Sequence, residues 1–499
     1  MSYVLGVDLG TSSLKGLVVN KNGEVLFQSS SDYKLYHPQK GHSEQKPRDW
    51  IMALENVLKD LIVKCPDLKE NLEGLSISGQ MHSLVLLDQK GDVLRDAILW
   101  NDVRTTKQCQ EISERLGDSL LSKTKNIALE GFTLPKILWV MEHEPEIWGK
   151  VGTVLLPKDY LSYYLTGKRC TEYSDAAGTL MLNVTEKEWD SDILSEFNIS
   201  SNQLPELIDS FGEVGTIQQS LLAKFGFKNS VKVFAGGADN ACASFGAGII
   251  SEDRAMCSIG TSGVFLSYEG VEEKDYHGKL HFFNHVMPKS YYSMGVTLAA
   301  GQSLSWFKEI FGGERTFEEI LDEAAQSVPG ANGLLFVPFI MGERTPYIDG
   351  KIRGSFVGID ASHKFSDFAR AVIEGITFSL KESQKLMMEN TAKIFKEIVS
   401  VGGGAKSDLW MQIQADVFET NVRSLKVEQG PGLGAAMIAA MGLEWFNNVE
   451  TCVATFVTYD QEFYPDNDNV SEYKKYYDIY KMIYSSTRDI SYKLADVSK

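Results

Sequence analysis

The chain has 499 residues, a net charge of −18, 43% hydrophobic and 23% charged residues, the composition of a soluble globular protein with two to four domains. A pI near 5.0 argues against nucleic acid as the main partner, which would need a basic footprint. It leaves room for an anionic small ligand held by backbone donors and a metal.

The opening Met1-Ser2-Tyr3-Val4 lacks the basic start, apolar core and cleavage site of a secretory leader. No apolar run approaches the length of a membrane span. Residues 3–9 and 14–20 read as strands, 21–24 as a hairpin turn and 25–29 as a third strand. Asp8-Leu9-Gly10-Thr11-Ser12-Ser13-Leu14-Lys15 joins the first two. Gly10 lets the backbone turn close to a ligand, and the hydroxyl and N–H groups after it face outward as anion donors. A carboxylate at Asp8, beside a phosphate turn, calls for a cation between them. Mg²⁺ takes one or two carboxylates plus phosphate oxygens and water. A turn aspartate is the plainer alternative. Lys15 is either a positive charge near the phosphates or a solvated strand residue.

Residues 49–64 form a helical pattern with Trp50, Met52, Ala53, Val57, Leu58 and Leu61 on one side. Strands at 75–78 and 84–87 flank Gly79-Gln80-Met81-His82. With the polar cluster Trp100-Asn101-Asp102-Val103-Arg104, this triplet suggests a polyol pocket, although a lone histidine is more often structural. A helical region covers 103–145, broken near Gly131 and Pro135. A strand at 154–156 leads into Pro157-Lys158-Asp159-Tyr160.

The second half restarts at 231–235, a strand ending in Gly236-Gly237. Asp239 then opens a helix of small residues. It reads as an N-cap or as a general base. A helix N-terminus favours its carboxylate form and weakens it as a base, but phosphoryl transfer asks more for positioning than for basicity. A hairpin at 255–267 carries a second Gly-Thr-Ser turn at Gly260-Thr261-Ser262, with Ser258 where the first has Asp8. Helices follow at 301–311, 316–326, 364–389, 407–418 and 432–445. This hairpin-first order occurs twice and reads as a duplication with its boundary near 246–251. Gly402-Gly403-Gly404-Ala405 suits close approach of an adenine or ribose, or a simple tight turn. Tyrosines at helical spacing in 469–494 read as a packed amphipathic helix.

Several signals carry no chemistry. There is no Walker A pattern. Gly430-Pro431-Gly432-Leu433-Gly434-Ala435 fits a dinucleotide fingerprint formally, but lies too late in the chain and reads as helix-packing glycines. His281 and His285 lack a third ligand and read as structural. Six scattered cysteines without a CxxC pair read as reduced thiols of a cytoplasmic protein.

Taken together in order and spacing, these motifs resemble the FGGY carbohydrate kinases of the actin-like and Hsp70-like ATPase superfamily. The likeness is carried by Asp8–Ser12, Glu44-Gln45, Gly79–His82, Ile98–Asp102, Leu155–Leu161, Ser174–Thr179, Gly236–Asn240, Ser258–Gly263, Gly342–Pro346 and Val401–Ala405. It implies an α/β fold of two ribonuclease-H-like domains, 1–248 for sugar and 249–499 for nucleotide, flanking a deep cleft. It implies ATP with Mg²⁺ and γ-phosphoryl transfer to a sugar hydroxyl. Asp239 would be the base. Gln80, Met81, His82, Asn101, Asp239 and Asn240 would bind the sugar, and Asp8 would lie near the metal. Gly10, Thr11, Ser12, Ser13, Lys15, Gly260 and Thr261 would line the phosphates. Gly403, Gly404, Ala405 and Ser407 would hold the adenosine, with Gly301 and Trp306. The Gln-Met-His triplet points to the branch that phosphorylates D-xylulose. Ser83, where relatives often have glycine, and the proline in Glu428-Gln429-Gly430-Pro431 depart from the pattern. Another ketose or polyol, a silent sugar-binding regulator and an actin-like ATPase are the competing expectations. The intact Asp8, Asp239 and paired turns count against the silent regulator, and the Gln80–His82 cluster counts against the actin-like ATPase. Domain closure over the ligands is expected, because water in the cleft could hydrolyse ATP. A homodimer is carried as an expectation only.

Overall fold

The structure is a computed structural model and describes residues 2–497. The first half contains β1 (Tyr3–Leu9), β2 (Ser13–Asn20), β3 (Val25–Asp32), α1 (Pro47–Lys64), β4 (Leu72–Gly79), β5 (Glu213–Thr216), β6 (Lys232–Ala238) and α2 (Asp239–Gly246). The second contains β7 (Arg254–Ile259), β8 (Gly263–Gly270), β9 (His281–Asn284), β10 (Tyr291–Thr297), α3 (Phe365–Thr391), β11 (Glu397–Gly402), α4 (Asp408–Phe418), β12 (Asn421–Leu425), α5 (Pro431–Gly442), β13 (Tyr459–Phe463) and α6 (Asn467–Val497).

Two mixed sheets result, with strand orders β5-β6-β4-β1-β2-β3 and β9-β10-β8-β7-β11-β12-β13. In each, an antiparallel meander is followed by two strands parallel to its first: β4 and β6 in one, β11 and β12 in the other. The run β3-β2-β1-β4-β6 therefore matches β10-β8-β7-β11-β12. This is the twofold ribonuclease-H-like α/β architecture, and the duplication read from strand order is visible in it.

The first sheet separates two apolar layers. Tyr3, Leu5, Val7 and Leu9 face α1, which buries Trp50, Ala53, Leu54, Val57, Leu58 and Leu61. Met52, placed by its spacing on the buried side, is 53% exposed, and Leu54 takes that part of the interface. Val4, Leu17 and Val19 belong instead to a core continuous with the second half. Central strands covered on both faces read as unbroken apolar runs, which is why β1 has little alternation.

The elements between β4 and β5 differ from expectation. The helical region breaks over 125–132, as expected near Gly131, and also at Gly117 (φ 52°), whereas Pro135 breaks nothing. Pro135 is the third residue of a helix over Thr133–His143, where a missing N–H costs no intrahelical bond. The strand expected to end before Gly236 runs through a bulge to Ala238.

The second half also reaches into the first. α5 packs on β1, β4, β6 and α2, so a division at residue 248 does not separate the molecule in space. A Cβ on Gly434 would collide with the carbonyl of Cys242 in α2, and one on Gly6 with the carbonyl of Gly432. The late glycines are packing residues, as their position suggested. Pro431 opens α5 at its first turn, a position that suits proline.

Gly434→Ala is expected to cost about 1–3 kcal/mol through overpacking, measured by denaturant unfolding. Gly350→Ala, where a Cβ meets nothing within 4 Å, is the control and should stay within about 0.5 kcal/mol. Equal effects at the two positions would contradict the packing account.

Candidate active site

The parallel strands of the first sheet deliver its site at their carboxyl ends. In register, Asp8 pairs with Ser78, and Ser78 with Gly237. Asp8 thus stands one residue before the end of β1, Gln80 follows β4, and Asp239 follows β6. Such strand ends are where open α/β sheets bind ligands.

Asp239 is the first residue of α2, one position inside the N-cap, Ala238. Its Oδ1 accepts from the Asn240 N–H at 2.7 Å and Asn240 Nδ2 at 2.9 Å, and the second oxygen takes no hydrogen bond from the described residues. Burial pushes the carboxyl up to about 6, against the lowering bonds from Asn240. The expected weakening by the helix terminus is therefore outweighed by desolvation. Asp8 is pushed further, to about 7, first by burial and then by repulsion from Asp239, with Lys15 opposing. Two carboxylates that repel each other, and no cluster of three ligating side chains among the described residues, fit a cation that takes one or two carboxylates and completes its shell elsewhere. Lys15 is exposed on β2 opposite Asp8 and shares a cavity of about 780 Å³ with it.

The sugar-segment candidates separate. Met81 Sδ lies 3.8 Å from both Asn240 Nδ2 and Tyr292 Oη, which brings Met81 to the Asp239 end. His82 sits at φ 67°, its Nδ1 2.7 Å from the Gly178 carbonyl and its ring 4.7 Å from Phe132. Burial, outweighing the Gly178 bond, holds it down at about 3, so it is neutral and serves as a hydrogen-bonding group. Gln80 is buried behind the first turn, donating to the Gly10 carbonyl (3.4 Å) and Gln45 Oε1 (3.2 Å). Gln45 in turn donates to the Thr11 carbonyl at 2.6 Å, and Trp100 Nε1 to Thr11 Oγ1 at 2.9 Å. Gln80 thus braces the turn, while Asn101 is exposed and hydrogen-bonds to none of these groups. The first turn closes through Gly10 N–H to the Ser13 carbonyl at 3.0 Å, and Tyr33 donates to the Gly10 carbonyl; Ser12 is exposed.

The second turn closes through Gly260 N–H to the Ser262 carbonyl at 3.0 Å, and its carbonyls accept from Gly301 (2.8 Å) and Gln302 (3.0 Å). Beside it lies a cavity of about 940 Å³, large enough for a nucleotide-sized ligand. Gly260, Thr261, Gly301, Gly403 and Ser407 line it. Trp306 does not. Its ring stacks on Phe336 at 6.1 Å, and Gln302 and Ser305 face the cavity instead. Of the three glycines, Gly402 (φ 83°) and Gly404 are required by Ile259, which leaves Gly403 free to meet a ligand. Gly404 and Ala405 are outside the lining. Phe317, Leu321 and Lys406 complete the wall. Sequence reading missed them, and the exposed Phe317 opening a capped helix was the available signal.

His281 and His285 are buried and partnered, by Asn126 and Ser244, in keeping with structural roles. All six cysteines are free. No helix among the described residues is long and apolar enough to cross a membrane.

The model of the FGGY family of carbohydrate kinases, N-terminal domain, matches residues 3–246, and its C-terminal domain matches 255–443. The chain is 53% identical over 497 residues to the xylulose kinase of Lactococcus lactis, covering 99% of each. It is 51% identical over 500 residues to that of Bacillus subtilis, covering all of both. Among solved structures, a kinase from Brucella ovis described as a xyloylose kinase superposes with a TM-score of 0.93 at 31% identity, covering 98% of this chain and 100% of that one.

A carboxyl raised in the folded state makes its contribution below the unfolded value near 3.9, and loses it as pH rises through the folded value. Ionised Asp8 should therefore destabilise the ligand-free protein above pH 7. Asp8→Asn is expected to raise the calorimetric melting temperature by a few degrees at pH 8. The gain should shrink below pH 7 and vanish near pH 4. No gain at pH 8 would contradict the burial of this charge.

Proposed function

Because the chain belongs to the FGGY family of carbohydrate kinases, we propose that it phosphorylates D-xylulose with ATP, giving D-xylulose 5-phosphate and ADP. Relatives named xylulose kinase at 45–53% identity over nearly the whole chain support this substrate. The observation that carries the chemistry is Asp239, one oxygen held by Asn240 and the other free, at the carboxyl end of β6.

Met81, His82 and Asn240 orient the sugar so that one hydroxyl meets the free oxygen of Asp239. The hydroxyl oxygen forms a bond to the γ-phosphorus as the bond to the β–γ bridging oxygen breaks. The hydroxyl proton passes to Asp239, and ADP departs. Thr261 and the hydroxyl residues of the Gly10 turn present donors to the phosphates, where charge spreads in a loose transition state. Asp8 would hold a divalent cation, which when bound supplies positive charge to the phosphate oxygens and relieves the repulsion between Asp8 and Asp239. Gly403 and Ser407, with the apolar wall at Phe317 and Leu321, would seat the nucleoside.

A coupled ADP-release assay over ketoses and polyols tests the reading, with D-xylulose expected to give the highest kcat/KM. Turnover of another sugar with D-xylulose inert would remove the substrate and leave the kinase. Asp239→Asn should lower kcat at least about 100-fold, as expected for loss of a general base, while the protein still binds ATP. With Asp239 at about 6, kcat/KM should fall as pH drops through 6, because the proton acceptor becomes occupied. A flat profile down to pH 4.5 would argue against that role.

A further inference from the structure

A buried cluster lies beneath the site-bearing ends of β4 and β6. Lys158, Glu172 and Asp175 have no exposed side-chain surface, and Asp159 is 3% exposed. Lys158 Nζ is 2.6 Å from Asp159 Oδ1, 3.5 Å from Glu172 Oε1 and 3.7 Å from Asp175 Oδ2. It sits directly under β4, for a Cβ on Gly79 would stand 2.8 Å from Lys158 Cβ. Burying a charge is costly unless it is paired and hydrogen-bonded. Burial pushes the Asp159 and Asp175 carboxyls up, whereas their attraction holds the Lys158 ammonium above its ordinary value despite its burial.

The cluster does something specific at β6. The antiparallel partner β5 pairs with residues 232–234 and then stops. The bulge between Phe234 and Gly237, with Gly236 at φ 81°, carries β6 onward to Ala238. The outer edge of this last stretch has no strand beside it, yet its N–H groups are buried and need acceptors. Two serines supply them. Gly236 N–H donates to the Ser210 carbonyl at 3.2 Å, and Ala238 N–H to Ser174 Oγ at 3.0 Å. Both serine hydroxyls donate to one carboxylate, Ser174 to Glu172 Oε1 and Ser210 to Glu172 Oε2, each at 2.9 Å. Glu172 also accepts the N–H groups of Ser174 (2.7 Å) and Asp175 (2.9 Å). One carboxylate, balanced by Lys158, thus stands in for the missing strand along the two residues that lead into Asp239.

We propose that Lys158, Glu172 and Ser174 are positioning residues for Asp239, setting its carboxylate through the Ala238 N–H. The inference rests on the reading of Asp239 as proton acceptor. A reacting group moved out of its near-attack geometry loses rate. ATP is held by groups away from Ala238, so the defect should fall on kcat and leave the KM for ATP unchanged.

Ser174→Ala is expected to lower kcat about tenfold, with the KM for ATP within about twofold of the parent, and Ser174→Thr, which keeps the hydroxyl, should recover most of it. Combined with Asp239→Asn, Ser174→Ala should add no further loss. Lys158→Met should have a larger effect, and the serine variant stands alone if that protein does not fold. Amide exchange of the 232–246 segment gives a readout independent of turnover and should accelerate in Ser174→Ala while the helices elsewhere stay protected. Unchanged kcat in Ser174→Ala beside an inactive Asp239→Asn, or unchanged exchange, overturns the proposal. A parent that turns over no sugar overturns the functional reading instead, and the exchange result then decides whether the brace exists.

Discussion

Where α2 crosses α5 the two backbones touch, because Gly434 has no side chain to hold the Cys242 carbonyl away. Gly246 and Gly6 make the same concession on either side. Each helix follows the last parallel strand of its own sheet, and each begins at a functional point: α2 with Asp239, α5 beside Asp8. A side chain in this crossing would push the helices apart and move both starting points. Close packing here therefore determines where the two aspartates stand relative to each other.

Their relation is electrostatic as well as geometric. Burial raises both, and Asp239 raises Asp8 further. The protein tolerates an unfavourable pair of charges at the meeting point of its two halves. That is the usual arrangement of a site whose tension a ligand relieves. The neighbouring cation, Lys15, is exposed and opposes the shift without cancelling it. The second turn has Ser258 in place of an aspartate, so the duplicated halves share a scaffold while the charge sits on one of them.

Much of the scaffold is legible in the chain because local rules decide it. Apolar runs ending in Gly-Thr-Ser give the two hairpins, and capped periodic segments give the later helices. What escapes is what depends on distant partners. Nothing near Pro431 announces that its helix will cover β1. Gly117 rather than Pro135 ends a helix, since proline is harmless in a first turn. Gln80 is polar and next to the sugar triplet, yet Gln45, 35 residues earlier, turns it toward the phosphate turn. Trp306 finds Phe336, and two of the three glycines at 402–404 serve Ile259. Gln80, Trp306 and Gly404 have the right residue type at the right place in the order, with a tertiary contact redirecting them.

The docking of α5 has a consequence for how such a molecule can be cut or exchanged. A fragment ending after α2 would leave the face of β1, β4 and β6 that α5 covers open to water. Its Val4, Leu17 and Val19 would be stripped of their cover. The halves are unequal parcels. To graft a different nucleotide half onto this sugar half, a designer would have to carry residues 430–456 along with the recipient sheet, or match their glycines one by one.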